Sequence, residues 1–344
     1  MSIAPEILNP RMGGYEPIDC EVQDRDTLYI LAREDVTQMP AARQRRGGPS
    51  EGQMAKRLFV LRLNEPDKPW GHMHLTGLGT SMCAMVYAPE SQIAVVDSKS
   101  KVWMKDPDSN GFQPRMASRS EGGLQAGGIQ RAKSFGAELM ACTTNRQLFV
   151  RQSAGNWALL GEPMPETEGL SFEDFDRFDA NDLYAVGDPG DVWHFDGSQW
   201  RKRRFPSKWG LSAVCCAGDG NVYIAAGTTI FRGRGTQWQR LSTKVQLVFP
   251  IQDLVWYEGR LWAGTHRGLL VLQGDHLVVP EDVAHEFQHV GANLAVRDGV
   301  LLLASTGGAA FKRDGQWTTI FSQYDARTWY ANHPGQAWEP PGKA

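Results

Sequence analysis

The sequence predicts an all-β protein, a seven-bladed β-propeller with four-stranded antiparallel blades. Three observations carry that expectation: an apolar segment recurs at a near-constant interval, Asp-Gly pairs punctuate the strands, and tryptophan is abundant where helix-forming runs are scarce. In the C-terminal half DLYAVG (Asp182 to Gly187), NVYIAAG (Asn221 to Gly227), RLWAGT (Arg260 to Thr265) and VLLLAST (Val300 to Thr306) place their first apolar residues Leu183, Val222, Leu261 and Leu301 at intervals of 39, 39 and 40 residues. A repeat of roughly 40 residues is the length of one four-stranded propeller blade.

Upstream, Leu139 in ELMACT, Ile93 in QIAVV and Leu28 in TLYILA extend the series at intervals of 44, 46 and 65. Each copy keeps one order of signals: an alternating strand, a turn, the apolar strand, a second turn, a third strand such as VWHFD or AFKRD, and often a Trp (Trp70, Trp157, Trp200, Trp238, Trp317). A single sheet of that size cannot bury both faces. Sheets set radially bury each face against a neighbour, with aromatic rings filling the wedges between them. The chain's 37 glycines and 12 tryptophans fit that economy. Asp-Gly in DGSQW and DGQW, like Glu-Gly in YEGR, marks tight turns where positive φ is required. The expected organisation is an N-terminal extension over 1–14, the propeller over 15–320 with an insertion at 33–56 in blade one, and a C-terminal extension over 321–344. Closure between the first and last blades is expected to rest on packing and not on a shared strand.

Composition narrows the function classes. With 344 residues, 41% hydrophobic and 22% charged, the chain reads as ordinary folded protein and not as disordered or fibrous sequence. Lys plus Arg number 36 against 39 Asp plus Glu, so no field draws the whole molecule to nucleic acid or anionic membrane. Five cysteines, odd in number and without a CxxC pair, point to reduced thiols and a cytoplasmic setting. No apolar run approaches membrane-spanning length.

RLWAGTHRGLLVL (Arg260 to Leu272) resembles the LWxGTxxGL segment of bacterial two-component-regulator-type propeller repeats, and VWHFDGSQW (Val192 to Trp200) is similar to propellers grouped with the YVTN and BNR repeats. The resemblance is clear over residues 170 to 320. It implies the fold and leaves activity open, since propellers host binding modules and enzymes alike.

Several positions are candidate sites. The segment Arg33 to Lys56 stands where other blades carry short turns and holds Arg43, Arg45 and Arg46; it reads either as a recognition element or as a solvated excursion. Trp209 and Phe249 occupy equivalent inter-blade loops, where a ring either anchors a partner or packs between blades. His266 and Arg267 sit in a blade-six turn expected on the same face as the insertion. Counting back from the second strands puts Asp19, Arg131, Asp174, Asp253 and Asn293 in the central channel, where polar groups are either solvated or, through several hard oxygens, Ca²⁺ ligands.

His285 to His289 spell HExxH, a zinc motif only on a long helix, and Gly291 follows almost at once. His72 and His74 are expected on the loop between blades one and two, and RKRR (Arg201 to Arg204) on an outermost strand, where charge discourages edge pairing. There is no GxSxG and no Gly-rich phosphate loop. The expected function is therefore non-catalytic: a monomeric, cytoplasmic, protein-binding propeller without cofactor, an immunity or adaptor protein that masks a toxin or effector through one face. The alternative is a Ca-dependent propeller hydrolase, lactonase or lyase with its site in the channel.

Overall fold

The computed structural model describes residues 5–39, 43, 48–104, 111–113, 127–162, 170–244, 247–265, 268–288 and 291–333. Seven sheets make a seven-bladed β-propeller. Blade one is β1 (Tyr15–Asp24), β2 (Thr27–Glu34), β3 (Lys56–Arg62) and β4 (Trp70–Leu75). Blade two is β5 (Ser81–Val86), β6 (Gln92–Asp97), β7 (Val102–Met104) and β8 (Phe112–Gln113). Blade three is β9 (Ile129–Phe135), β10 (Glu138–Thr143), β11 (Leu148–Ser153) and β12 (Asn156–Leu159). Blade four is β13 (Asp174–Asp179), β14 (Asp182–Gly187), β15 (Asp191–Phe195) and β16 (Trp200–Arg203). Blade five is β17 (Leu211–Cys216), β18 (Val222–Ala226), β19 (Thr229–Arg234) and β20 (Gln237–Arg240). After a two-residue strand β21 (Ser242–Thr243), blade six is β22 (Ile251–Tyr257), β23 (Arg260–Thr265), β24 (Gly268–Gln273) and β25 (His276–Val278). Blade seven is β26 (Ala292–Arg297), β27 (Val300–Ser305), β28 (Gly308–Arg313) and β29 (Gln316–Ser322). One departure from uniform four-stranded blades is β21, which pairs in parallel with β25 as a fifth strand.

The repeated apolar segment is the second strand of every blade. Strands β18 and β27 are buried at every position, as a strand covered on both faces must be. The fourth strands face solvent instead, and β20 is exposed or half-buried throughout. Tight turns join the strands: in Tyr257–Arg260 and Arg297–Val300 both central residues have positive φ (Glu258 47°, Gly259 71°; Asp298 47°, Gly299 73°), the geometry that matches the twist of the flanking strands.

The chain divides into two compact units, residues 1–82 with 281–344, and residues 83–280. The first holds blades one and seven, a helix α1 (Pro5–Met12), a single helical turn α2 (His285–Gln288) and a C-terminal helix α3 (Gln323–Asn332). Leu8, Met12, Tyr15, Val22, Leu28 and Phe59 pack against Leu302, Ala304, Phe311, Ile320 and Ala326 in one core. Blades one and seven thus meet through side chains. The last strand runs to Ser322, two residues beyond the expected boundary, and the Ser322 hydroxyl then caps α3 by accepting the Asp325 N–H at 3.5 Å. The Gln323 Nε2 donates to Tyr15 O at 2.7 Å, and the Arg327 Nε to the buried Asp35 Oδ2 at 2.8 Å, so the segment after the last blade is strapped to blade one.

The second unit holds blades two to six. Apolar wedges join blades three and four (Met140, Phe175, Trp193), four and five (Tyr184, Val214, Ile224) and five and six (Ala213, Leu254, Leu270). Trp200 lies tilted against Phe195 with centroids 5.1 Å apart, and its Nε1 donates to Leu160 O of blade three at 2.8 Å. The open edge of β17 is closed from blade four: Asp174 Oδ2 accepts the Val214 N–H at 2.9 Å and Asp176 Oδ2 the Cys216 N–H at 2.8 Å. Those bonds leave the edge amides satisfied without a fifth strand. Among the described residues no helix is long and apolar enough to cross a membrane.

Candidate functional site

The insertion grows from the ends of β2 and β3, and buried charge fixes its base. Lys56 is fully buried at 0% exposure; its Nζ donates to Glu51 O at 2.5 Å, Leu78 O at 3.1 Å and Met54 O at 3.2 Å, and pairs with Glu51 Oε2 at 3.2 Å. Burial pushes its ammonium below the ordinary lysine range, with Glu51 opposing. Beside it Arg33 bonds Glu16 at 2.9 Å and also reaches Glu51. Glu34, 1% exposed, accepts Arg43 Nη1 at 2.5 Å, Arg43 Nη2 at 3.1 Å and the Ala55 N–H at 2.8 Å. Arg43, a candidate partner contact, thus holds Glu34 while its own side chain stays 30% exposed. A carboxylate without water demands a bidentate cation, and Arg43 supplies it. Arg45 and Arg46 lie outside the described residues.

The positions counted to the channel all fall on first strands. In the first unit the Asn293 Nδ2 donates to Ile18 O at 2.7 Å, and Asp19 Oδ1 accepts the Cys20 N–H at 2.9 Å. In the second unit Asp174, fully buried, pairs with Lys133 Nζ at 2.8 Å and Arg131 Nε at 3.5 Å; the Arg131 Nη2 also donates to Gln252 O at 3.2 Å. Asp253, 6% exposed, accepts the Leu254 N–H at 3.0 Å. Burial lowers the proton affinity of Lys133, but the carboxylates of Asp174 and Asp176 outweigh it and raise it above the usual range. Burial pushes Asp176 up to about 6, against the pull of Lys133. The neighbouring Cys142 and Cys215 thiols are also pushed up by burial first and nearby aspartates second, which makes them poor nucleophiles. The carboxylates of this cluster are thus spent on Lys133, Arg131 and backbone amides. Among the described residues no three His, Cys, Asp or Glu side chains are grouped to hold a metal ion.

Counting back missed Lys133 and Asp176, which lie two residues past Arg131 and Asp174. The period of two along a strand puts each pair on one face and was the available signal. Asp191, also missed, is fully buried in blade four and takes Lys202 Nζ at 2.6 Å, Trp193 Nε1 at 2.9 Å and Arg146 Nη1 of blade three at 3.2 Å. Of the RKRR run, Arg201 pairs with Asp196 at 3.3 Å and the Arg203 Nη2 lies 2.8 Å from His194 Nδ1, so three of those cations have specific partners.

His285 opens the single helical turn α2, whose Phe287 is buried; the partner imidazole, His289, lies outside the described residues. His72 and His74 stand on strand β4 and not on a loop, with exposed rings 5.1 Å apart because alternate residues share a face. His266 and Arg267 also lie outside the described residues. Phe249 is half-buried, whereas Trp209 is 64% exposed and lays its ring over Gly227.

No family model matches the chain. A stretch of 186 residues, 52% of the chain, is 32% identical to Immune protein Tsi7 of Pseudomonas aeruginosa. The match spans 60% of that protein's length, less than two thirds of it. Among solved structures the chain is similar to YCF48 bound to D1 peptide (TM-score 0.58, 13% identity, 87% of this chain and 91% of that one). It is also similar to YCF48 from Cyanidioschyzon merolae (0.59, 12%, 88% and 96%) and to the WD40 β-propeller domain of Doa1 (0.58, 9%, 88% and 94%). At such identities these likenesses show the fold alone.

Proposed function

We propose that the chain is a non-catalytic, protein-binding propeller, an immunity protein or adaptor that masks a toxin or effector through one face. The observation that carries the reading is the 32% identity to Immune protein Tsi7 over 186 residues. The architecture supports it physically. Masking needs a preformed surface of about 800 Å² per partner, and a propeller whose loops sit on closed blades offers one with little ordering cost. The insertion belongs to that surface: its base is tied by Lys56 and Glu34, and Arg45 and Arg46 are assigned to the partner contact. Phe249, His266 and Arg267 are assigned to the same function. The protein acts as a monomer in a reducing, cytoplasm-like compartment, in keeping with cysteines that form no disulfide among the described residues. Kinship of its repeats with the two-component-regulator, YVTN and BNR groups is part of the proposal and rests on Arg260 to Leu272.

The test is co-expression with each toxin-like product of the genes that adjoin its own. Cells are expected to survive only with the chain present, and the two purified proteins to elute as one complex. Arg45→Glu combined with Arg46→Glu is expected to weaken that complex at least about tenfold, or roughly 1.4 kcal/mol. Cell death despite soluble chain, with separate elution of the two proteins, refutes the reading.

A further inference from the structure

We infer that blade five, where it adjoins blade six, is a docking surface for an acidic segment of a partner protein that seats an apolar side chain beside Trp209. The inference deepens the immunity or adaptor reading and rests on it.

Apolar exposure comes first. Trp209 is 64% exposed and Val248 75% exposed. Between Trp209 and Leu247, the residue before Val248, lie two concavities of about 310 and 480 Å³ that share Thr228, Thr229 and Arg240 in their walls. Trp209 is positioned through its backbone and through the residue beneath its ring. Its backbone carbonyl accepts the Gly190 N–H at 3.0 Å, and Gly227 beneath the ring leaves room that a Cβ would fill at 2.5 Å from Trp209 Cε3. A rigid aromatic beside hollows is the form binding anchors take, because little freedom remains to be lost.

Charge names the occupant. Lys208, Arg240 and Lys244 are exposed and make no ion pair among the described residues; Arg240 donates only to Thr229 Oγ1, at 3.2 Å. Cations on the neighbouring strands are matched: Arg232 with Asp275 at 2.9 Å, Arg234 with Asp182, Lys202 with Asp191 at 2.6 Å. Asp188 lies beside Gly210 on the blade-four side, so the surface remains net positive on a chain of net charge -3. Unmatched cations around an apolar anchor complement carboxylates flanking an apolar residue. A nucleic acid fits less well, since Trp209 is a single ring beside the aliphatic Leu247 and Val248 and gives no run on which successive bases stack.

The test selects a displayed random-peptide library on the immobilised full chain and measures the best peptide by fluorescence anisotropy. Enriched peptides are expected to carry Asp or Glu beside Leu, Phe or Trp, to bind more weakly as salt rises, and to lose at least tenfold in affinity on Trp209→Ala and on Arg240→Glu. Both side chains are exposed, and Val248→Glu gives the same readout should Trp209→Ala disturb the loop. Failure to enrich any peptide, enrichment of uncharged or basic peptides, equal affinity for an oligothymidine, or binding unchanged by all three variants overturns the inference. The two ideas fail separately. A chain that protects cells equally with and without Arg240→Glu keeps the immunity reading and loses this surface. A chain that selects acidic peptides through Trp209 but protects no cell keeps the surface and loses the reading.

Discussion

Replacing Lys56 with Met tests how the insertion is held. Methionine fills the volume of the lysine stem but donates nothing, so Glu51 O, Met54 O and Leu78 O lose their donor together. Glu51 is part-exposed and regains water, whereas Met54 and Leu78 are 5% and 0% exposed and their carbonyls stay dry. An unsatisfied buried acceptor costs about 1–3 kcal/mol, so two of them predict a loss of roughly 2–6 kcal/mol. Removing the ammonium also recovers the cost of burying it, which places the expected value in the lower half of that range. Urea unfolding followed by tryptophan fluorescence reads the change as a lower midpoint at unchanged slope. Glu51→Gln keeps the backbone acceptors matched and is expected to cost under about 1 kcal/mol. Equal, small losses for both variants would refute the reasoning and make Lys56 a bystander at the base of the insertion.

Two further outcomes follow from the geometry. Burial raises the Asp176 carboxyl to about 6 in the folded state, above the ordinary carboxylate value of about 4, so the fold binds protons more tightly than the unfolded chain, and stability falls as pH rises from about 4 to about 6 and is level above. Asp176→Asn is therefore expected to raise the urea midpoint at pH 7.5, by about 1–2 kcal/mol once the lost acceptor for the Arg177 N–H is deducted, and to leave it unchanged at pH 4; the reverse order counts against the assignment. Gly227→Ala places a Cβ at φ +60° and 2.5 Å from the Trp209 ring. It is expected to lower stability by about 1–2 kcal/mol and to displace the indole, seen as faster quenching of exposed tryptophan by acrylamide.

Legibility in the sequence tracked the range of the forces involved. Second strands such as β18 and β27 announce themselves because burial on both faces demands continuous apolar residues, and the insertion stands out because the rest keeps its period. Helices α1 and α3 were not legible: PEILNPRM carries Pro10 inside it, and QYDARTWYAN presents no apolar stripe, so both owe their form to packing around Leu8, Met12 and Ala326. Arg43 reads as a free cation until Glu34 is seen buried nine positions earlier. The exposure of Trp209 likewise depends on Gly227, whose place under the ring only the fold reveals.

The strap between Asp35 and Arg327 has a consequence for biosynthesis. Blade one leaves the ribosome before the other six blades, yet the counter-ion for its sealed carboxylate is made only after blade seven. Until then Asp35 stays hydrated, and Tyr15 awaits the amide of Gln323. The oldest sheet of the nascent chain is accordingly the last to mature, and a stalled polypeptide lacking its final helix exposes the seam where its own beginning was meant to be sealed.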